Sequence, residues 1–240
     1  MSVQPIQLAN PAAGSLFSIS VDDWSTVNRR VGLTLAFRRG WPAFEQQIPV
    51  FASYASTCDL WRSETFPLLI AQSAAIVSYA ASASNNFSAL KHSIAQLAPG
   101  NALPATLEAS ALSTFSALAN STHSLSAASD TLAAQVSAFA TYNAVVDAAA
   151  AAHFGEPVGG ADAVVDNAAG AVVGAWKALS DDLDAIACGH IPLSGDLLLS
   201  LDIDFALRSW ANLQSEAAAF ASGTAVQTAY LEDGWEAGMQ

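Results

Sequence analysis

Two long segments of this chain place their apolar residues at seven-residue intervals. Within each segment a second apolar row is offset by three or four residues, the spacing that lines one face of a helix. The first segment carries Leu69, Ile76, Ala83, Leu90 and Leu97, with Phe66, Ser73, Ala80, Phe87 and Ile94 on the companion row. The second carries Leu118, Leu125, Leu132, Phe139 and Val146, with Phe115 and Val136 beside them. This pattern predicts two long helices, over residues 59–98 and 104–153.

A short run of helix-breaking residues separates the two segments. Pro99 and Gly100 suit the end of one helix, and Pro104 suits the first turn of the next. The two helices are therefore expected to form an antiparallel hairpin. At a rise of 1.5 Å per residue, each arm would be roughly 60 to 75 Å long.

The remaining pattern predicts shorter helices around this hairpin. One begins at Asp22 and Asp23 and reaches Arg39, and a second stretch, 43–58, is broken by Pro49. Pro67 predicts a kink or a restart early in the first arm. After a turn rich in glycine and proline, a helix resumes at Ala161 and closes at 188–192. A last helix is expected to run from near Ser194, which with Asp196 suits a helix start, to near Gly223.

The expected fold is all-α, an elongated antiparallel bundle of about five helices with two long heptad-patterned helices. Residues 1–20 are interpreted as an irregular lead, 21–223 as a single helical bundle and 224–240 as an acidic tail. Within the bundle, 144–176 would form a second, short hairpin at the far end of the rod. This segment is largely apolar or small.

The outer faces of the predicted arms have few charges. Between Thr65 and Val146 only Lys91, Glu108 and Asp130 are formally charged, and Ala and Ser fill most of the remaining positions. Exposed helices of soluble proteins are usually covered with charged residues. Two interpretations follow: further helices flank both arms, or the surface exchanges water for other subunits or lipid.

The charge balance excludes one class of partner. With 8 basic and 21 acidic residues the net charge is −13, which repels a phosphate backbone and argues against nucleic-acid binding. Half of the basic residues are Arg29, Arg30, Arg38 and Arg39. They could meet anionic lipid headgroups, but ordinary pairing with Asp22, Asp23 and Glu45 is the favoured interpretation.

No catalytic or metal-binding motif is present. The sequence lacks the glycine-rich phosphate loops, the zinc-binding HExxH and the GxSxG turn, and its four histidines are scattered. We therefore expect no enzyme activity, cofactor, metal or small-molecule substrate. Two cysteines make no disulfide framework. No secretory signal and no run of about 18 strongly apolar residues is evident, so we expect a soluble protein, made in the cytoplasm, that meets membranes conditionally.

Two features of the second hairpin, 144–176, indicate contact with another helix or with lipid. Gly170 and Gly174 form a GxxxG, which allows close approach of two helices. The second hairpin is most simply a helix-to-helix connection, but it is also where a rod-shaped toxin would touch lipid. Its candidate contact residues are Val145, Val146, Phe154, Val158, Val164, Val165, Val172, Val173 and Trp176.

Several runs resemble α-helical pore-forming toxins, the group of cytolysin A, haemolysin BL, non-haemolytic enterotoxin and the binary xenorhabdolysins. Residues 59–70, DLWRSETFPLLI, followed by IVSYA and FSAL, resemble their first long helix. Residues 174–183, GAWKALSDDL, are similar to the return helix after their head domain. The likeness is one of pattern over residues 20–220. Where that family has a substantial hydrophobic head, this chain has only about thirty weakly apolar residues.

The resemblance implies a soluble bundle that rearranges on a membrane and oligomerises, alone or with partner toxin subunits, possessing no catalytic residues. It could be released by a non-classical route. The alternative is a non-lytic scaffold that dimerises through its long hairpin. A third class, helical-hairpin substrates of specialised secretion systems, would require a W-x-G turn that the expected hairpin lacks.

Overall fold

The computed structural model describes residues 6–40, 49–98, 101–154 and 161–233, and side chains within them except at 49, 149–154, 161–163 and 224–233. This part of the chain is helical and contains no strand. The all-α prediction is therefore confirmed. After a 3₁₀ turn at Pro11–Gly14, the helices are α1 (Val21–Gly40), α2 (Pro49–Leu60), α3 (Phe66–Ile94), α4 (Ala105–Phe154), α5 (Ala161–Ala187), α6 (Gly195–Ser200) and α7 (Ile203–Asp233).

Side-chain caps explain several helix starts. Ser20 Oγ accepts from the Asp23 amide at 3.1 Å, and Ser194 Oγ accepts from the Leu197 amide at 3.1 Å. The predicted role of Ser194 is thus confirmed. Beyond the C-terminal end of α5, Gly189 adopts a φ of 73°, the left-handed conformation that commonly follows a helix.

The predicted last helix was wrong at two points. It is interrupted at Leu201, whose extended backbone ends α6, and Asp202 starts α7 by accepting from the Phe205 amide at 2.9 Å. This exposed aspartate therefore caps a new helix. The helix also continues through Gly223 to Asp233, because one glycine costs a helix only about 1 kcal/mol.

A π-helical turn at Trp61–Thr65 joins α2 to α3. Pro67 follows this turn as the second residue of α3, where its missing N–H cannot serve the carbonyl four residues earlier. The wider turn accommodates this lost bond, so α2 and α3 form one nearly continuous helical segment. The helix therefore does not restart at Pro67, and the arm begins earlier than expected, at Pro49.

The two arms, α3 and α4, run antiparallel. Gln72 donates to Ser129 at 2.5 Å, and the hydroxyls of Tyr79 and Thr122 lie 2.8 Å apart. Nearly all residues of the two seven-residue rows are buried. However, α3 packs most extensively on α7, and α4 on α5. Small buried residues such as Ala80, Ala169 and Ala217 permit the close approach of these two pairs.

One layer of the core joins all four of these helices. Tyr79 of α3 lies 5.4 Å from Trp176 of α5 and 5.0 Å from Trp210 of α7, measured between ring centroids. Its hydroxyl meets Thr122 of α4. Both tryptophans are fully buried. Large side chains at the centre therefore hold the two closely packed pairs together.

The N-terminal lead is part of the core. Leu8, Leu16 and Phe17 are buried, and the 3₁₀ turn packs against both α5 and α7. Trp210 Nε1 donates to the Leu8 carbonyl at 3.0 Å. A Cβ added to Gly14 would lie 2.5 Å from Leu213 Cδ1, so this close approach requires glycine.

Candidate functional site

Two ion pairs and an aromatic contact lie at the end of the bundle where α1 meets α2 and α4. Arg30 of α1 forms an ion pair with Asp147 of α4, and Arg38 pairs with Asp59 of α2 at 2.8 Å. The rings of Phe37 and Phe51 meet at 5.7 Å. We call this region, formed by residues 28–40 of α1, α2 with the π-helical turn that follows it and the C-terminal half of α4, the α1 end.

The basic cluster predicted from the sequence is divided by this geometry. Arg30 and Arg38 are half-buried and Arg29 and Arg39 are exposed. The favoured pairing role holds for Arg30 and Arg38, and the partners seen among the described residues, Asp147 and Asp59, are carboxylates that the sequence did not single out. Asp147 and Asp59 take these roles because tertiary packing, which local sequence spacing does not reveal, brings α4 and α2 beside α1. Glu45 lies outside the described residues.

The Arg30–Asp147 pair is a costly one. Burial raises the pKa of Asp147 above its usual value, against the opposing effect of Arg30. A raised pKa means that this carboxyl contributes stability below its unfolded pKa, and that the contribution is lost as pH rises through the folded value. The pair therefore fixes the position of α1 on α4 more than it adds stability at neutral pH.

Polar groups beneath α1 are incompletely satisfied. Trp61 Nε1 donates to Asn28 Oδ1 at 3.0 Å, but Asn28 Nδ2 has no hydrogen-bond partner within the described part of the chain. The same holds for both side-chain polar atoms of Asn143, which is 1% exposed. Each such group costs about 1–3 kcal/mol. The packing at this end is thus less favourable than its aromatic content suggests.

Cys58 of α2 lies in this interior, and burial raises its pKa to about 12. Since the thiolate is the reactive form, we expect Cys58 to resist a thiol reagent such as Ellman's reagent at pH 8, while the exposed Cys188 reacts. Native protein should therefore release about one equivalent of chromophore and denatured protein about two. Rapid reaction of both thiols in the native protein would contradict the buried position of Cys58.

Among the residues whose side chains are described, eight large apolar ones are exposed, and five of these lie at or beside the α1 end: Leu33, Phe37, Tyr142, Val145 and Val164. Leu33 and Phe37 belong to the segment of α1 that contacts α2, and Tyr142 and Val145 lie on α4 next to Asp147. Val164 is near the start of α5, which runs antiparallel to α4. The other three are Val21, Leu199 and Phe205.

The structure separates the residues of the predicted tip. Val145 and Val164 are exposed, and Val146 and Val173 are half-buried. Val165, Val172 and Trp176 are buried in the bundle, so they cannot touch lipid in this conformation. They were grouped with the tip because the sequence does not say which face of α5 other helices cover. Val158 and the side chain of Phe154 lie outside the described residues.

Gly170 and Gly174 lie on an exposed face of α5. A Cβ built on either glycine would meet no atom within 4 Å in the described structure. No helix of that part of the chain therefore uses the GxxxG for close packing. The described residues leave this face of α5 uncovered.

A serine, a histidine and a carboxylate meet where α4 packs on α5. Ser180 Oγ lies 3.1 Å from His123 Nδ1, and His123 Nε2 lies 2.9 Å from Asp184 Oδ2. Sequence reasoning missed this group because its members come from two helices; the four-residue spacing of Ser180 and Asp184 was the available signal. Ser180 is 5% exposed, and the three side chains link the two helices.

One helical segment of the described chain is long and apolar enough to cross a membrane, Val50–Ile94, which spans α2 and α3. The sequence-based expectation of no such segment rested on a stricter requirement, a run of about 18 strongly apolar residues, which polar residues such as Gln72, Asn85 and Asn86 interrupt here. The bundle buries 44% of its most apolar window, and core helices of soluble proteins have the same composition. Length and composition alone therefore leave both roles open.

In comparisons with known proteins, no protein family model, no curated protein and no solved structure matches this chain.

Proposed function

We propose that this protein is an α-helical pore-forming toxin, or one component of a multi-subunit cytolysin, that is soluble as a bundle and rearranges and oligomerises on membranes. The observation that carries the proposal is the segment Val50–Ile94, which combines sufficient length with an almost uncharged C-terminal half. Its α3 portion alone has 29 residues, about 44 Å of helix, which exceeds the hydrocarbon thickness of about 30 Å.

The packing of α3 supports such a rearrangement. Its buried face includes small residues such as Ala80 and Ala83, and burial stabilises by about 25 cal/mol per Å² of apolar surface. Alanine contributes little area, so these positions hold α3 in the bundle less strongly than leucine would. The unpartnered polar atoms of Asn28 and Asn143 lower the stability of the α1 end further.

The proposal includes an architecture and partners. The soluble form is an elongated antiparallel bundle of about five helices, with α3 and α4 as its heptad-patterned pair. Its partners are a lipid membrane, reached conditionally, and either copies of itself or other toxin subunits. It uses no nucleic acid and no small-molecule substrate, and it acts at a target membrane after non-classical release.

A non-lytic scaffold is the second candidate function. The open face at Gly170 and Gly174 favours it, since two glycines one turn apart allow a helix of a second copy to approach closely. In that case the long helices would remain in the bundle, and the apolar composition of Val50–Ile94 would reflect its central position alone.

Dye release from liposomes, with sedimentation of the same samples, tests the choice. A pore-forming protein should release dye from vesicles of at least one lipid composition between pH 5 and 7.5 and should sediment as large oligomers with them. These acidic and neutral conditions cover the range in which histidine side chains change charge. A monomer or dimer that neither binds nor permeabilises any vesicle would instead support the scaffold.

A further inference from the structure

We infer that the outer face of α1, formed by Arg29, Leu33 and Phe37, is the surface by which this protein first contacts a membrane, and that it selects bilayers containing anionic lipid. The inference rests on the proposed function and specifies its first step. In this sequence of events α1 makes the first contact with the bilayer, and the apolar residues of α3 enter it in a later step.

The face follows from helix geometry. Residues 29, 33 and 37 are four apart and lie along one side of α1. Leu33 is 57% exposed, Phe37 is 41% exposed and Arg29 is exposed. The opposite side of α1, with Trp24, Val31 and Leu35, is buried in the bundle. Thus α1 is apolar toward the core and also carries large apolar groups on its solvent side.

Further exposed apolar groups lie at the α1 end. Val145 and Tyr142 of α4 are exposed, two and five residues from Asp147, so they lie on sides of α4 turned away from the one that holds Arg30. Val164 reaches the same level, because His123 pairs with Asp184 and the antiparallel register then sets Val164 near residue 143. Exposed apolar groups therefore come from three helices around one end of the molecule, an arrangement that suits a broad surface better than a peptide-binding groove.

Charge identifies the kind of surface. A protein of net charge −13 is repelled as a whole by an anionic bilayer, so a basic region is needed to orient it. Four of the eight basic residues are on α1, where Arg30 and Arg38 are paired with Asp147 and Asp59. Arg29 is exposed and supplies positive charge on the outer face itself. Apolar side chains flanked by arginine are the pattern of helices that lie in the interface of anionic membranes.

The test is sedimentation of full-length protein with vesicles of phosphatidylcholine alone or mixed equally with phosphatidylglycerol. Wild-type protein should bind the mixed vesicles in preference to the neutral ones. Leu33→Glu and Arg29→Glu should each weaken this binding about tenfold, since each places a carboxylate against anionic headgroups. Circular dichroism should show unchanged folding, because both positions are exposed.

Matched controls lie at the opposite end of the bundle. Leu199 is 40% exposed on α6 and Arg208 is exposed on α7, so Leu199→Glu and Arg208→Glu make the same changes of charge there. These variants should bind within about twofold of wild type. Failure of wild type to prefer the mixed vesicles, or equal loss in the control variants, would overturn the assignment of the α1 face.

Dye release measured on the same samples separates this inference from the proposed function. If Leu33→Glu and Arg29→Glu bind and release dye as wild type does, pore formation stands and the α1 face is not the contact surface. If wild type binds through this face but releases no dye, the contact surface stands and pore formation fails.

Discussion

Tethering α3 to α7 is expected to abolish dye release. Lys91 of α3 and Asp204 of α7 form an ion pair, and both side chains are more than half exposed, so cysteines are tolerated at both positions. A short reducible bis-thiol cross-linker between Lys91→Cys and Asp204→Cys, with Cys58→Ala and Cys188→Ser, would keep α3 on the bundle. We expect at least a tenfold loss of release when linked and recovery on reduction, corresponding to a barrier raised by about 1.4 kcal/mol or more.

The matched control links two cysteines within one helix. Lys177 and Asp181 of α5 form an exposed i,i+4 pair with Nζ and Oδ2 3.6 Å apart. Cross-linking Lys177→Cys and Asp181→Cys applies the same chemistry but joins no two helices, so release should be unchanged. Full activity of the protein tethered between α3 and α7 would show that these helices stay together during function.

Replacing Trp61 by alanine is expected to cost about 3–5 kcal/mol in the free energy of unfolding. The ring is 1% exposed and lies 4.4 Å from that of Phe139, measured between centroids. Its removal leaves a cavity between α1 and α4 and also takes away the hydrogen bond to Asn28 Oδ1. Urea unfolding followed by circular dichroism would measure the loss.

Tyr142→Ala provides the control for this stability prediction. Tyr142 is 40% exposed on α4, so its truncation should change the free energy of unfolding by about 0.5 kcal/mol or less. A change below about 1 kcal/mol for Trp61→Ala, with an unaltered denaturant slope, would show that the α1 end is not packed as described.

The helices of this fold were largely predictable from local residues. Ser194 gave the start of α6, and Pro67 marked the change of geometry at the beginning of α3. The break at Asp202 was not predicted, because an acidic residue suits a solvated face as well as a helix cap. The continuation past Gly223 was missed because glycine both ends helices and is tolerated within them.

The partners of the arms could not be read from the seven-residue pattern. Alanine fits a close helix contact and an exposed face equally well, so the sequence did not show that α3 packs most closely on α7 and α4 on α5. The same limit applies to the candidate site. Val165 and Val172 were predicted at a lipid-contacting tip and are buried, whereas Leu33 was not singled out, because only the positions of the other helices leave it exposed.

The position of α3 during membrane contact is the most direct test of the proposed mechanism. Ser78 is an exposed residue of α3, and an environment-sensitive fluorophore can be attached to Ser78→Cys after replacement of the two native cysteines. Vesicles under dye-releasing conditions should increase its fluorescence, and quenchers on the lipid chains should then reduce it, because α3 has entered the bilayer. A probe that stays in water while dye escapes would contradict the entry of α3 into the membrane.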